Sequence, residues 1–226
     1  MLIGEHALLK LNSAHVAVFG LGGVGSWCAE ALARAGIGEM TLVDSDEYSV
    51  SNINRQAGAF ESTVGEDKVT VTAKRLLDIN PEIKVHPLKA LYSSGTRDDL
   101  IKQYDYVADC IDLVSCKIDL IKTCTERQIP IISSMGTGNK SDASLLEITD
   151  ISKTKNCALS RVMRKELRAV GINHLCVVYS PEDPIEAEQI EAPPPGRRSI
   201  PGSFVWVPAG AGLLIAQKIV TDIIKR

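Results

Sequence analysis

The chain has 226 residues, a formal net charge of −3 at pH 7 and 45% hydrophobic side chains. That length suits one large domain and the apolar share suffices for a substantial core. The charge balance excludes a uniformly basic nucleic-acid coat, and the composition is not that of a disordered chain.

In chain order, HVAVF (15–19) predicts a first strand, followed by a helix from about Gly23 to Arg34. MTLV (40–43) predicts the second strand. KVTVTAKRLLDIN (68–80) spaces Val69, Val71, Leu76, Leu77 and Ile79 as a helix that Pro81 ends. IKVHPL (83–88), DYVADC (105–110) and IPIISSM (129–135) supply further strands, with a helical segment, SCKIDLIKTCTER (115–127), between the last two. This alternation predicts right-handed βαβ units: an α/β, doubly wound Rossmann-like fold with a mostly parallel sheet.

Beyond Met135 the texture changes. GTGNKSDAS (136–144) reads as a loop, LLEIT (145–149) and HLCVVYS (174–180) as strands, antiparallel ones being expected in this C-terminal part. PEDPIEAEQIEAPPPGRRSIPGS (181–203) is a Pro-rich connection too long for an ordinary turn. A last helix is expected over about 210–224. The longest apolar run, FVWVPAGAGLLIA (204–216), is too short and too broken by Pro and Gly to span a bilayer, so we expect a buried segment and no membrane contact. No basic-then-apolar leader opens the sequence, and none of the six cysteines forms a C-x-x-C pair; both fit a reduced, cytoplasmic setting. His6, His15, His86 and His174 show no ligand spacing.

Gly20-Leu21-Gly22-Gly23-Val24-Gly25 fits G-x-G-x-x-G between a strand and a helix, where glycines allow a tight turn and close approach of a phosphate to the backbone. Asp44, at the end of the second strand, is placed to bind ribose hydroxyls. These features alone fit an NAD-dependent oxidoreductase. The following residues argue for a triphosphate instead. SNINRQ (51–56) brings Asn52, Arg55 and Gln56, and VGEDK (64–68) brings Lys68 at a helix start. Cations there would neutralise charge that develops when an α-phosphate is attacked. Asp109 and Asp112 in ADCID follow the fourth strand, where a carboxylate can hold Mg²⁺ between phosphates. The segment 152–168 sets Lys153, Lys155, Arg161, Arg164, Lys165 and Arg168 against Glu166 alone, which is either a solvated helix face or a phosphate-backbone track.

Taken together, GLGGVGSWCAEALARAGIG, LVDSD, SNINRQ, VGEDK, INP and DCID resemble the ubiquitin-activating-like adenylating enzymes of the ThiF/MoeB/HesA group over about residues 5–150. The resemblance implies one ThiF-type adenylation domain over 1–226, with a nucleotide-binding half (1–135) and a substrate-binding and dimer half (136–226). It implies ATP and Mg²⁺, with Asp112 as the metal ligand and Arg55, Lys68 and Asp112 as the catalytic set. Gly20, Gly22, Gly23, Gly25, Asp44, Asp46, Asn52 and Gln56 complete the implied nucleotide site.

Within that group, VSNINRQ, the D-x-x-x-x-K ending at Lys117, TDISKT (149–154) and PGSFVWVPAGAG are similar to the branch that dehydrates threonylcarbamoyladenosine in tRNA. That branch activates the threonyl carboxylate with ATP and closes a ring, releasing AMP and pyrophosphate. Lys117, Lys153, Arg161 and Arg164 would then face tRNA, and the implied partners are tRNA, a second copy of the chain and a cysteine desulfurase or other sulfur-transfer protein. Activation of a sulfur-carrier protein is the alternative, against which the absence of paired C-x-x-C ligands counts. Cys157 is the best-placed cysteine for acyl transfer, though a packing role is expected for it. Family members carry an arginine-bearing segment before LIGE; Met1-Leu2-Ile3-Gly4 here predicts a shortened N-terminus or a site that works without that cation.

Overall fold

The computed structural model describes residues 2–186 and 201–226; most of the Pro-rich connection, 187–200, lies outside the described residues. The elements are α1 (Gly4–Ser13), β1 (His15–Phe19), α2 (Gly25–Arg34), β2 (Glu39–Asp44), α3 (Lys68–Ile79), β3 (Lys84–Lys89), α4 (Arg97–Leu100), β4 (Tyr106–Asp109), α5 (Val114–Glu126), β5 (Ile131–Ser134), β6 (Glu147–Asp150), α6 (Ala158–Ala169), β7 (Cys176–Tyr179) and α7 (Trp206–Lys225). The predicted strands and helices are present with ends shifted by a few residues. Helix α1 has no counterpart in the periodicity reading, because only Leu11 of its ten residues is buried and its apolar stripe is narrow.

Seven strands form one sheet in the order β3-β2-β1-β4-β5-β7-β6. All neighbours run parallel except β6, which pairs with β7 antiparallel as expected for the C-terminal part. The strand period of two sorts side chains between two layers. Val16 and Val18 of β1 enter a core with α2, α3 and α7, whereas Ala17 and Phe19 enter one with α5 and the segment around α4. A third core joins α5 and α6 to β7.

Chain order reverses between β1 and β4, since β2 and β3 lie to one side and β4 and β5 to the other. A crevice opens at the carboxyl ends of strands at such a point. Two expectations need correction. Helix α7 is not broken by Pro208 or its glycines: it is continuous over 20 residues because Pro208 sits in the first turn, where no helical N–H bond is lost. By length and composition it is apolar enough to cross a bilayer, yet Val207, Ala211, Ile215 and Ile219 are fully buried in the first core. Secondly, His15 and His86, far apart in sequence, converge on Glu39 through the pairing of β1, β2 and β3.

Candidate active site

The glycine loop joins β1 to α2 at the point of strand reversal. Gly20 has φ +88°, and its N–H donates to the Val43 carbonyl at 2.8 Å. A Cβ there would stand 2.6 Å from the Cys110 carbonyl oxygen, so only glycine lets the loop close against the end of β4. At Gly25 a Cβ would meet the Gly20 carbonyl oxygen at 1.8 Å. Gly25 is buried and does not line the cleft; its part is to seat the start of α2 on the loop. Gly22 has open space on its Cβ side, and Gly23 lies between Pro208 and the Arg55 side chain. Together with the α2 N-terminus this backbone can approach an anion closely.

Gly20, Gly22 and Gly23 line a cleft of about 810 Å³. Asp44 closes β2 beside it and holds two segments at once: Oδ2 accepts the Leu21 N–H at 2.6 Å and Oδ1 accepts the Asp46 N–H at 2.8 Å. The glycine loop and the β2 exit are thereby fixed to one carboxylate. Lys68 is buried on the first residue of α3, where the helix dipole disfavours a cation. Its Nζ lies 3.1 Å from Asp46 Oδ2, and Asp46 is largely exposed.

A 3-10 turn, Val50–Asn52, carries the next group. Asn52 Oδ1 accepts the Ser49 N–H at 3.2 Å, closing the turn. Arg55 Nη1 donates to the Ser51 carbonyl at 2.8 Å and to Asn54 Oδ1 at 2.9 Å, while Trp27 Nε1 donates to the Arg55 carbonyl at 3.0 Å. Burial draws the Arg55 pKa down and the Asp112 carboxylate pulls it back up; the guanidinium remains charged. Gln56 is buried and lines the cleft with its Oε1 unpaired. Asp112, in the loop after β4, is exposed and lines the same cleft. Thus Gly20, Gly22, Gly23, Asp44, Asp46, Asn52, Arg55, Gln56, Lys68 and Asp112 all meet around one cleft.

Lys117 departs from expectation. It is fully buried on α5, with Nζ 2.9 Å from Oδ2 of the equally buried Asp109, and no oxygen is well angled for a hydrogen bond to that ammonium. Asp109 also accepts Ser133 Oγ at 2.6 Å and the Ile111 N–H at 3.2 Å. Neither Lys117 nor Asp109 lies where a tRNA or a metal bridging phosphates would touch it. Their ion pair instead supports the loop that carries Asp112. Lys153 and Arg161 are exposed near and on α6, whereas Arg164 is half-buried with Nη1 bonded to both oxygens of Thr154.

The sequence reading missed one wall of the cleft. Gly136, Thr137, Gly138, Asn139 and Lys140 follow β5, and Lys140 is a buried cation bonded to the Glu182 carbonyl. The signal was present: GTGNK is glycine-rich backbone at the carboxyl end of a parallel strand. Cys157 also lines the cleft, but it caps α6, its Sγ accepting the Ser160 N–H at 3.4 Å, which fits the expected packing role.

The ThiF family model matches residues 1–225. The tRNA threonylcarbamoyladenosine dehydratase of Bacillus subtilis is 42% identical, the match covering 99% of this chain and 92% of that protein. The enzyme of the same name from Escherichia coli is 40% identical over 74% of this chain and 63% of its own length. The crystal structure of E. coli tRNA N6-threonylcarbamoyladenosine dehydratase in complex with ATP superposes with a TM-score of 0.89 at 33% identity, covering 99% of this chain and 91% of that one. The glycine loop, the cleft and the similarity along nearly the whole sequence agree: the chain belongs to the ThiF family.

Proposed function

We propose that the protein is an ATP-dependent tRNA threonylcarbamoyladenosine dehydratase. The observation that carries this reading is the meeting of Arg55, Lys68 and Asp112 with the glycine loop and Asp44 in one cleft. Relatives of that name extend along nearly the whole chain, and neither an NAD-dependent oxidoreductase nor a sulfur-carrier adenylyltransferase is favoured by them.

In the proposed reaction, the threonyl carboxylate oxygen attacks the α-phosphorus of ATP, the bond from that phosphorus to the bridging oxygen breaks, and pyrophosphate leaves. A nitrogen or oxygen of the same modification then attacks the activated carbonyl, loses its proton, and AMP leaves as the ring closes. The second step is intramolecular, so positioning supplies much of its rate and no protein nucleophile is required. Gly22 and Gly23 bring backbone to the phosphates, Asp44 and Asp46 take the ribose side, and Asn52 and Gln56 orient the triphosphate. Arg55 and Lys68 lie fixed before the reaction and oppose the charge that builds on the departing phosphates. The exposed Asp112 carboxylate beside Arg55 is an oxygen donor suited to a hard cation, and Asp112 would hold Mg²⁺. When bound, that ion supplies further neutralisation of the phosphates.

Lys153, in the turn before α6, and Arg161, on α6, are exposed cations that would serve a tRNA backbone in this reading. The reading also includes a single adenylation domain, a cytoplasmic homodimer and a sulfur-transfer protein among the partners. The test is incubation with ATP, Mg²⁺ and tRNA carrying the modification, followed by AMP release and nucleoside mass. Loss of one water from the nucleoside is expected, with Arg55→Ala or Asp112→Ala lowering the rate roughly 100-fold or more. AMP formed only with a Gly-Gly-ended carrier protein, and never with tRNA, overturns the reading.

A further inference from the structure

At the amino ends of β1, β2 and β3, the opposite end of the sheet from the nucleotide cleft, three ligand-type side chains share one face. His15 and Glu39 are the first residues of β1 and β2 and are register partners, and His86 of β3 is the register partner of Thr41. His86 Nε2 lies 2.8 Å from Glu39 Oε1 and His15 Nδ1 lies 3.5 Å from the same oxygen. One ligand atom from each residue falls within 4.8 Å of the other two. We propose that His15, Glu39 and His86 form a binding site for a divalent transition-metal ion, Zn²⁺ in the first instance, that staples the edge strand β3 to β2 and β1.

The chemistry of the donors selects the ion. Two imidazoles and a carboxylate suit Zn²⁺ and its neighbours, whereas Mg²⁺ and Ca²⁺ demand a shell of oxygens. Tetrahedral Zn²⁺ with ligand bonds of about 2.0–2.2 Å keeps its ligand atoms roughly 3.3 Å apart. The two separations to Glu39 straddle that value and the two imidazole nitrogens lie within 4.8 Å of each other, a spread that side-chain rotation can close onto one ion. The outer shell also fits. His15 Nε2 is 2.9 Å from Thr41 Oγ1, so a proton held on Nε2 and donated to the hydroxyl leaves the Nδ1 lone pair directed at the site. The Tyr104 ring stands edge-on to His15 at 5.0 Å and fixes its plane. Side-chain exposures of 22% for His15, 33% for Glu39 and 49% for His86 leave a path for the ion and room for water as a fourth ligand.

A structural need is visible at the same place. β3 is one of the sheet's two edge strands and four of its six residues are exposed, so few side chains anchor it. An ion at its third residue would bind three strands at once, and binding to the folded state alone adds to stability.

The experiment uses the whole chain, stripped with a chelator and titrated with Zn²⁺ alone, without nucleotide, by calorimetry. One equivalent of saturable binding is expected, with a rise in melting temperature. His86→Ala, at a half-exposed edge position, should lose at least about tenfold in affinity, as should Thr41→Val through the outer shell, with circular dichroism checking that both fold. ATP binding by His86→Ala should be unchanged. The Co²⁺-substituted protein should show weak ligand-field bands without a thiolate charge-transfer band. No saturable uptake, uptake equal in wild type and His86→Ala, or a thiolate band from the cysteines would each overturn the assignment.

Discussion

Replacing Lys117 by Met removes one partner of a fully buried ion pair while keeping most of the side-chain volume. Asp109 then retains only two neutral donors, Ser133 Oγ at Oδ2 and the Ile111 N–H at Oδ1, on a carboxylate with no access to water. Leaving a buried charge uncompensated in this way costs about 3–5 kcal/mol. For a chain of this size each kcal/mol moves the melting temperature by about 2–4 °C, so a fall of roughly 6–20 °C is expected. The companion Asp109→Asn/Lys117→Met removes both charges and should lose much less than the sum of the two single changes. Urea denaturation of the four proteins, with m-values compared, measures the coupling directly. A Lys117→Met protein within about 1 kcal/mol of wild type, or a double variant as unstable as the sum, would refute the argument that this pair is sealed and mutually dependent. The Ile111 contact adds a functional readout: the Asp112 loop loosens, so KM for ATP should rise in Lys117→Met.

The remaining predictions concern separate parts of the molecule. Gly25→Ala should fail to fold or lose several kcal/mol, because its Cβ would meet the Gly20 carbonyl at 1.8 Å; Gly22→Ala, with open space there, should fold normally and lose ATP affinity, as circular dichroism and nucleotide titration would show. Glu30 joins α2 to α3; burial raises its pKa, but hydrogen bonds from Arg75 and Arg34 prevail and the net value is lowered. A lowered carboxyl contributes stability above its unfolded pKa that disappears as pH falls through the folded value, so Glu30→Gln should flatten the acid limb of the stability profile below about pH 4.5 and leave its alkaline limb unchanged. Lys153→Ala and Arg161→Ala should each weaken tRNA binding and lower its salt slope by about one, without affecting ATP binding; an unchanged slope would exclude contact with the phosphate backbone.

The sheet was legible because parallel strands buried on both faces read as short β-branched runs, as in HVAVF and IPIIS. Helix α1 was not, since a surface helix with a single buried leucine leaves almost no periodic trace. Residues close to the glycine loop in sequence, from Asp44 to Lys68, were found because the loop predicts what its neighbours touch. Lys117 was misread: one exposed and one buried lysine look alike in sequence, and only the fold places Asp109 2.9 Å away. The convergence of His15 and His86 is hidden in the sequence for a related reason. Ligand spacing rules describe neighbours on one helix or loop, whereas this pair meets through sheet register across β2. Pro208 misled in the opposite direction, its effect depending on a helix start that the sequence does not mark.

Helix α7 packs against α2 so closely that a Cβ on Gly212 would fall 2.4 Å from the Val24 carbonyl, and Pro208 abuts Gly23. The backing of the glycine loop is therefore supplied by the last of the described elements to leave the ribosome. During synthesis β1, α2 and β2 emerge early with the apolar face that α7 later covers still bare. Until that helix docks, the glycine loop lacks the wall behind it and the apolar face of α2 stays open to solvent.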